Sequence, residues 1–262
     1  MKSSKNNKVS ANARLSKITD LIKSNQEVEI AALARMFGVS EMTIRRDLDT
    51  LADMGKVKRT HGGAAIAEKM EFEFDFGERR KKNQKFKKMI AACAAKFVKP
   101  HDKIILDTGT TTLELANLLK DFEDITVITP SLAVASVLQF SPKIETILLG
   151  GIIRKGSPDL TGVIAESVLD MFSVDVAFQG ADGIGLDGEL YNSDIRIASV
   201  DKKMRQRAKM TYILSDSSKI GKTDFAVNGN LSEVQALITD EKITDEQVKQ
   251  LKKTGTKIII TK

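Results

Sequence analysis

The sequence predicts a two-part α/β protein: a small helical headpiece followed by a larger domain built on a mainly parallel sheet. Three observations predict this. Residues 1–66 carry apolar residues at helical spacing around a Gly-containing turn. From Lys103 onward, short apolar runs alternate with helical patterns, the rhythm of crossover units. Charge is also divided unevenly. The chain has 262 residues and a net charge of +6, yet residues 1–66 hold 12 Lys and Arg against 7 Asp and Glu, so +5 of that charge belongs to the headpiece. The length exceeds what one small core needs. The expected division is a headpiece over 1–66, a charged linker over 67–88 and the larger domain over 89–262.

The headpiece begins with a helix over residues 13–24 that supplies Leu15, Ile18, Leu21 and Ile22. Ile30, Leu33, Ala34 and Phe37 repeat at i, i+3, i+4 and i+7, marking a second short helix with one buried face. Gly38 breaks it. Ser-Glu-Met-Thr-Ile-Arg-Arg-Asp-Leu, residues 40–48, then opens a third helix, with Ser40 as N-cap and Glu41 at the positive end of the dipole. Two helices joined by so short a turn read as helix-turn-helix. Ile44, Leu48 and Leu51 define the buried face of the third helix, so Met42, Arg45, Arg46 and Asp49 point outward.

Arginines near the start of such a helix reach guanine edges or phosphates in the major groove. Ser40 and Thr43 are placed to contact phosphates. The run Val-Lys-Arg-Thr-His-Gly-Gly, residues 57–63, forms the hairpin or wing, bringing Lys58, Arg59 and His61 beside Lys56. The expected DNA-contacting set is therefore Ser40, Met42, Thr43, Arg45, Arg46, Lys58, Arg59 and His61, and the expected partner is double-stranded operator DNA. The competing reading pairs Arg45 and Arg46 with Asp49 or leaves them solvated. Helix, turn, capped helix and basic hairpin in this order favour DNA.

The linker is acidic over residues 68–73 and basic at Arg79, Arg80, Lys81, Lys82, Lys85, Lys87 and Lys88. Phe72, Phe74 and Phe76 are spaced for one face of an extended segment. They either dock the linker on the larger domain or a second subunit, or cover a local apolar patch. The basic run reads as a solvated helix face, and Cys93, in the Ala-rich stretch after it, as a small buried hydrophobe.

In the larger domain the strand expectations are 104–107, 125–129, 144–149, 174–178, 212–215, 236–238 and 258–260. The helices between them are expected near 112–119, 132–140, 163–171, 195–208 and 245–251. Ligands in such sheets sit beyond the carboxyl ends of the strands. The first of these ends is Leu-Asp-Thr-Gly-Thr-Thr-Thr-Leu, residues 106–113. It is a strand running into a Gly and hydroxyl loop that opens a helix. It reads either as an ordinary Thr-capped helix after a strand or as a place for a phosphate, where backbone N–H groups and the helix dipole attract an anion, Gly109 permits close approach, and Thr110, Thr111 and Thr112 add hydroxyls. No Gly-Lys-Ser/Thr closes it, which disfavours a Walker A loop and nucleotide triphosphate hydrolysis.

Gly150 and Gly151 with Arg154, the run Gly180-Ala181-Asp182-Gly183, and Asp216-Ser217-Ser218-Lys219 stand at other strand ends. Lys219 suits a phosphate, while Asp107 and Asp182 suit sugar hydroxyls. The expected effector set is Asp107, Thr108, Gly109, Thr110, Thr111, Thr112, Gly150, Gly151, Arg154, Asp182 and Lys219.

Other chemistry is excluded or disfavoured. With His61, His101 and Cys93 as the chain's only His and Cys, there is no zinc cluster and no intramolecular disulfide. No apolar run approaches membrane-spanning length. The polar, Lys-rich start and single cysteine predict a reducing cytoplasm. No cofactor, resident metal or catalytic residue is expected.

Taken together, Val39 with residues 40–48, His61-Gly62-Gly63-Ala64, residues 106–112, Leu149-Gly150-Gly151, Gly180-Ala181-Asp182-Gly183-Ile184 and Asp216-Ser217-Ser218-Lys219 resemble the DeoR-type bacterial transcriptional repressors across essentially the whole chain. The resemblance implies a winged helix-turn-helix followed by a sensor domain similar to sugar-phosphate isomerases. It further implies a phosphorylated sugar as effector that weakens operator binding, with the loop 107–112 and Lys219 facing it. Two positions depart from that pattern: Pro130 stands where the family has Asn, and Ile197 where it has Glu. The expected function is repression of a carbohydrate-use operon by a homo-oligomer with a small phosphorylated metabolite as partner. The alternatives are an isomerase-like enzyme using Asp107, Asp182 and Lys219, and a ligand-independent DNA-binding regulator.

Overall fold

The computed structural model describes residues 10–54, 56–66, 76–154 and 157–262. Its contacts divide the chain into two compact units, Met1–Glu78 and Arg79–Lys262.

The first unit contains α1 (Ala11–Asn25), β1 (Glu27–Glu29), α2 (Ile30–Phe37), α3 (Glu41–Asp53), β2 (Val57–Arg59) and β3 (Gly63–Ile66). Ile18, Ile22, Ile30, Leu33, Ile44, Leu48 and Leu51 form its core, as the apolar spacing requires. Gly38 ends α2 in the left-handed region at φ 63°, its N–H bonded to the Ala34 carbonyl, a conformation that favours glycine. Ser40 caps α3 by accepting the Thr43 N–H at 3.2 Å.

The strands form an antiparallel sheet of order β1-β3-β2. Gly63 is required there, because a Cβ would lie 1.8 Å from the Val28 carbonyl oxygen. β1, only three residues long, was not among the expected elements: Glu-Val-Glu has too little pattern to announce itself. Also unforeseen is a buried ion pair. Arg14 on α1 donates to Asp47 on α3 at 2.5 and 3.1 Å, so the residue after Arg46 holds the helices together rather than facing solvent.

A helical segment over residues 76–81 runs across the division between the units and is followed in the second by α4 (Gln84–Ala95). Phe72, Phe74 and the acidic run 68–73 lie outside the described residues; Phe76 is half-buried. Cys93 is half-buried rather than buried, and desolvation raises its thiol pKa.

The sheet strands are β4 (Lys103–Leu106), β5 (Ile125–Thr129), β6 (Ile144–Leu148), β9 (Val174–Gln179), β12 (Ala208–Leu214), β14 (Ala236–Asp240) and β15 (Lys257–Thr261). All neighbouring pairs are parallel, in the order β15-β14-β12-β9-β4-β5-β6. The helices α5 (Thr110–Leu119), α6 (Leu132–Leu138), α7 (Val163–Leu169), α8 (Ile195–Arg207) and α9 (Asp245–Leu251) connect them. α4 packs on α5, while Ala165 and Leu169 of α7 and Val200 and Met204 of α8 pack with Ile105, Ile128 and Ala177 of the strands. The central strands are therefore buried on both faces, as a parallel sheet demands.

Two smaller elements were not expected. One is the hairpin of β7 (Ile152–Ile153) and β8 (Leu160–Thr161); the other is the antiparallel sheet of β10 (Gly183–Ile184), β11 (Glu189–Asn192) and β13 (Ala226–Asn230). Their short or polar strands carry almost no periodic signal. The topology fixes where a ligand belongs. From β4 the chain proceeds outward through β5 and β6, whereas β9 leads the other way through β12, β14 and β15. The order reverses between β4 and β9, and the crevice at that switch point is the preferred ligand position in open α/β sheets.

Candidate functional site

On α3 the expected outer face is exposed: Met42 is 60% accessible, and Arg45 and Arg46 are exposed as well. Arg45 lies 4.0 Å from Glu41 one turn back, while Asp49 pairs with Arg59 on β2 at 3.3 Å. The Arg59 guanidinium also donates to the Arg45 carbonyl at 3.3 Å, fixing the wing strand against the helix. Neither arginine of the pair takes Asp49, and Arg46 has no ion pair among the described residues. Lys58 and His61 are exposed on the wing. Ser40 and Thr43 are engaged in the helix start, their hydroxyls 2.9 Å apart.

In the second unit a cavity of about 190 Å³ opens at the carboxyl ends of β4, β9 and β12. It is lined by the loop residues Asp107, Thr108, Gly109, Thr110 and Thr111, and by Arg154, Asp182 and Lys219, so residues far apart in sequence converge. Three expected residues do not line it. Thr112 is fully buried and its hydroxyl donates to the Asp107 and Gly109 carbonyls at 2.8 and 2.7 Å, so it shapes the loop. Gly150 and Gly151 lie outside the cavity lining. Gly151 serves the β7–β8 hairpin instead: at φ 136° its Cβ would sit 2.6 Å from the Thr161 carbonyl oxygen.

The loop is rigidly set. Asp107 accepts N–H bonds from Thr108 at 2.5 Å and Gly180 at 2.8 Å, tying β4 to β9 across the switch point. Burial pushes its carboxyl up to about 6, against the pull of those two N–H groups, and the nearby charge of Asp159 adds to the rise. Gly109 caps α5 with no side-chain partner, so the first N–H groups of that helix are left for an anion.

The sequence reading missed several cavity residues. Arg79, Lys82, Lys87 and Lys222 add cations, and Asn192, Ser157 and Asp159 add polar groups. Lys87 is 6% exposed; desolvation lowers its pKa, partly offset by Asp216. Its apparent role as part of a solvated basic face is corrected by the packing of α4. Asn83, at the left-handed start of α4 with φ 57°, donates to Asp216 at 2.8 Å and Ser218 at 3.2 Å. Asp240 accepts from Ser217 N–H at 2.7 Å and its hydroxyl at 2.9 Å. The turn carrying Lys219 is thus held from two sides. A strained non-glycine residue at such a clamp is typical of functional sites.

Behind the cavity, Asn192 donates to Asp201 at 3.0 Å and Arg205 donates to Gln179 at 3.0 Å. Burial, then the charge of Asp107, raises the Asp201 carboxyl well above the usual range. Of the two positions that depart from the family pattern, Ile197 lines the cavity and gives it an apolar wall; Pro130 does not line it, and its carbonyl instead accepts the Leu160 N–H at 2.8 Å. Among the described residues there is no group of His, Cys, Asp and Glu that could hold a metal ion. No described helix is long and apolar enough to cross a membrane.

A winged helix-turn-helix with a cationic outer face, joined in one chain to a parallel α/β unit with a cation-lined cavity, defines a DNA-binding regulator with a sensor domain. The chain belongs to the DeoR family of helix-turn-helix transcriptional regulators: residues 14–70 match the DeoR-like helix-turn-helix domain and residues 82–241 the DeoR C terminal sensor domain. It is 36% identical to the uncharacterized HTH-type transcriptional regulator YulB of Bacillus subtilis, over 94% of this chain and 95% of that one. It is 30% identical to the HTH-type transcriptional repressor CsqR of Escherichia coli, over 89% of each. Among solved structures it resembles a D-ribose-5-phosphate isomerase in complex with phospho-erythronic acid at 23% identity and a TM-score of 0.40, over 52% of this chain and 54% of that one. That likeness is too loose to carry a functional argument.

Proposed function

We propose that the protein is a repressor of a carbohydrate-use operon, and that a phosphorylated sugar bound in the switch-point cavity lowers its affinity for operator DNA. The observation that carries this reading is the cavity itself. Six cationic side chains and four carboxylates line it, a formal balance of +2 that matches the charge of about −2 on one phosphate monoester. The N-terminus of α5 and Lys219 supply the phosphate end, and the carboxylates and Asn192 supply acceptors for hydroxyls. The relative named as a repressor supports the direction of regulation.

Operator contacts are assigned to Met42, Arg45, Arg46, Lys58, Arg59 and His61, with Ser40 and Thr43 setting the helix start. An isomerase-like reading would use Asp107, Asp182 and Lys219; the family models and the named relatives, which are transcriptional regulators, favour the repressor. A ligand shifts the equilibrium only through unequal affinity for the two DNA-binding states. Gel-shift titration of the full-length chain on its own promoter, with and without pentose and hexose phosphates, tests the proposal. Release of DNA by one of them is expected, and Lys219→Ala should keep operator binding while losing that response. An equal response in the variant would remove Lys219 from the site, and no release by any sugar phosphate would defeat the effector reading.

A further inference from the structure

Within the cavity the four carboxylates are not equivalent. Asp107 is engaged at both oxygens. Asp182 accepts from the Ser193 N–H at 3.0 Å and hydroxyl at 2.9 Å. Asp216 accepts from Asn83 and from Ser218. Asp182 and Asp216 also take these bonds at one oxygen each, but neither has a buried side-chain oxygen without a partner. Asp159 differs in this: it is 1% exposed, and Arg154 donates twice to its Oδ2, at 3.1 and 2.6 Å. Its Oδ1 is buried with no hydrogen-bond partner among the described residues.

Buried polar atoms are normally satisfied, and an exception in a cavity wall calls for an explanation. Nor is the residue free to turn away. Its carbonyl accepts the Arg154 N–H at 3.0 Å; on either side of it, Leu160 N–H donates to the Pro130 carbonyl and Leu132 N–H to the Pro158 carbonyl, both at 2.8 Å. Asp159 also forms an isolated antiparallel bridge with Ser131. The backbone is therefore pinned between the β7–β8 hairpin and the start of α6.

We propose that Asp159 is a specificity-determining residue of the effector site, its Oδ1 accepting a hydrogen bond from a hydroxyl on the carbon skeleton of the ligand. The inference rests on the proposed effector reading and sharpens it: the ligand carries, besides its phosphate, a hydroxyl that reaches the hairpin side of the cavity. The charge of Asp159 is already answered by Arg154, so the missing group is a neutral donor rather than a second cation. A site with such an acceptor rejects a ligand that leaves it unpaired, because the acceptor has given up water on burial.

Calorimetric titration of the full-length chain with inorganic phosphate, ribose 5-phosphate, glucose 6-phosphate and glucosamine 6-phosphate tests this. In the unaltered protein a sugar phosphate is expected to bind more tightly than inorganic phosphate. In Asp159→Ala that advantage should fall about tenfold or more, while inorganic phosphate binds as well or better, because Arg154 loses its counter-charge. Asp159→Asn, of nearly the same size, serves should the alanine variant fail to fold. Arg154 then draws its amide oxygen, an N–H donor replaces the acceptor, and a smaller fall is expected.

An undiminished sugar advantage in the folded variants overturns the inference alone. The absence of any advantage in the unaltered protein overturns the effector reading, and the inference with it. Glucosamine 6-phosphate binding about tenfold tighter than glucose 6-phosphate would assign an ammonium to Asp159 and overturn the hydroxyl.

Discussion

In the first unit the cations of α3 and the wing stand in solvent while Arg14 and Asp47 are buried together between helices; in the second, charges of both signs face inward onto one cavity. The difference is one of solvation. Exposed arginines attract a polyanion at long range and lose strength with salt. Cations held in a half-closed cavity keep their strength, but only for an anion small enough to enter. On the proposed reading, one chain carries two anion sites that differ in reach and in selectivity.

The sharpest way to break this contrast is to remove the buried pair of the headpiece. Asp47→Ala leaves the Arg14 guanidinium buried without its carboxylate, a change that costs about 3–5 kcal/mol. Calorimetric melting of the full chain should show the headpiece transition lost or far lower and the second unit unchanged. Removing an outward charge should do the opposite. Arg46→Ala is expected to leave melting unchanged and to weaken specific operator binding by about 10- to 100-fold, as loss of a bidentate base contact would. Unchanged affinity in a gel shift would show that α3 does not read the operator.

Inside the cavity, stability and binding should move apart. Lys87→Met replaces a desolvated amine with an apolar chain of similar length, so the melting temperature should hold or rise slightly. Affinity for sugar phosphate should drop about tenfold.

A smaller effect concerns Asp107. Its folded carboxyl titrates near 6, above its ordinary value near 3.9. Between the two, the folded state keeps a proton that the unfolded state has released, so stability declines as pH rises from about 4 to about 6. Asp107→Asn should flatten that part of the pH profile of the second unit's melting; an unaltered slope would assign it elsewhere.

The headpiece was legible because helical periodicity shows directly which side chains face out: Ile44, Leu48 and Leu51 fixed the burial of α3, and Met42, Arg45 and Arg46 followed. The same rule missed Asp47, since a buried acid at a polar position needs Arg14 from another helix to explain it. The seven parallel strands were legible as apolar runs, and the loop after β4 as a strand end with Gly and hydroxyls. Lys87 and Asp159 were not. Lys87 sits in a run of lysines that looks like solvent-facing helix, and only the packing of α4 turns it inward. Asp159 belongs to a two-stranded hairpin with no periodic signal, and its pairing with Arg154 follows from the fold of that hairpin. Gly150 and Gly151 were misplaced for the same reason: they build the approach to the hairpin.

In the proposed switch the two sites are linked, so that filling the cavity empties the DNA face. Fluorescence anisotropy of a labelled promoter duplex titrated with full-length protein, repeated across sugar phosphates at constant salt, tests it most directly. Linked sites require tight binding to the promoter over a scrambled duplex, and at least one sugar phosphate that lowers it about tenfold or more, within the usual range of allosteric coupling. Equal, weak binding to both duplexes, or promoter binding indifferent to every sugar phosphate that calorimetry shows to occupy the cavity, would contradict it.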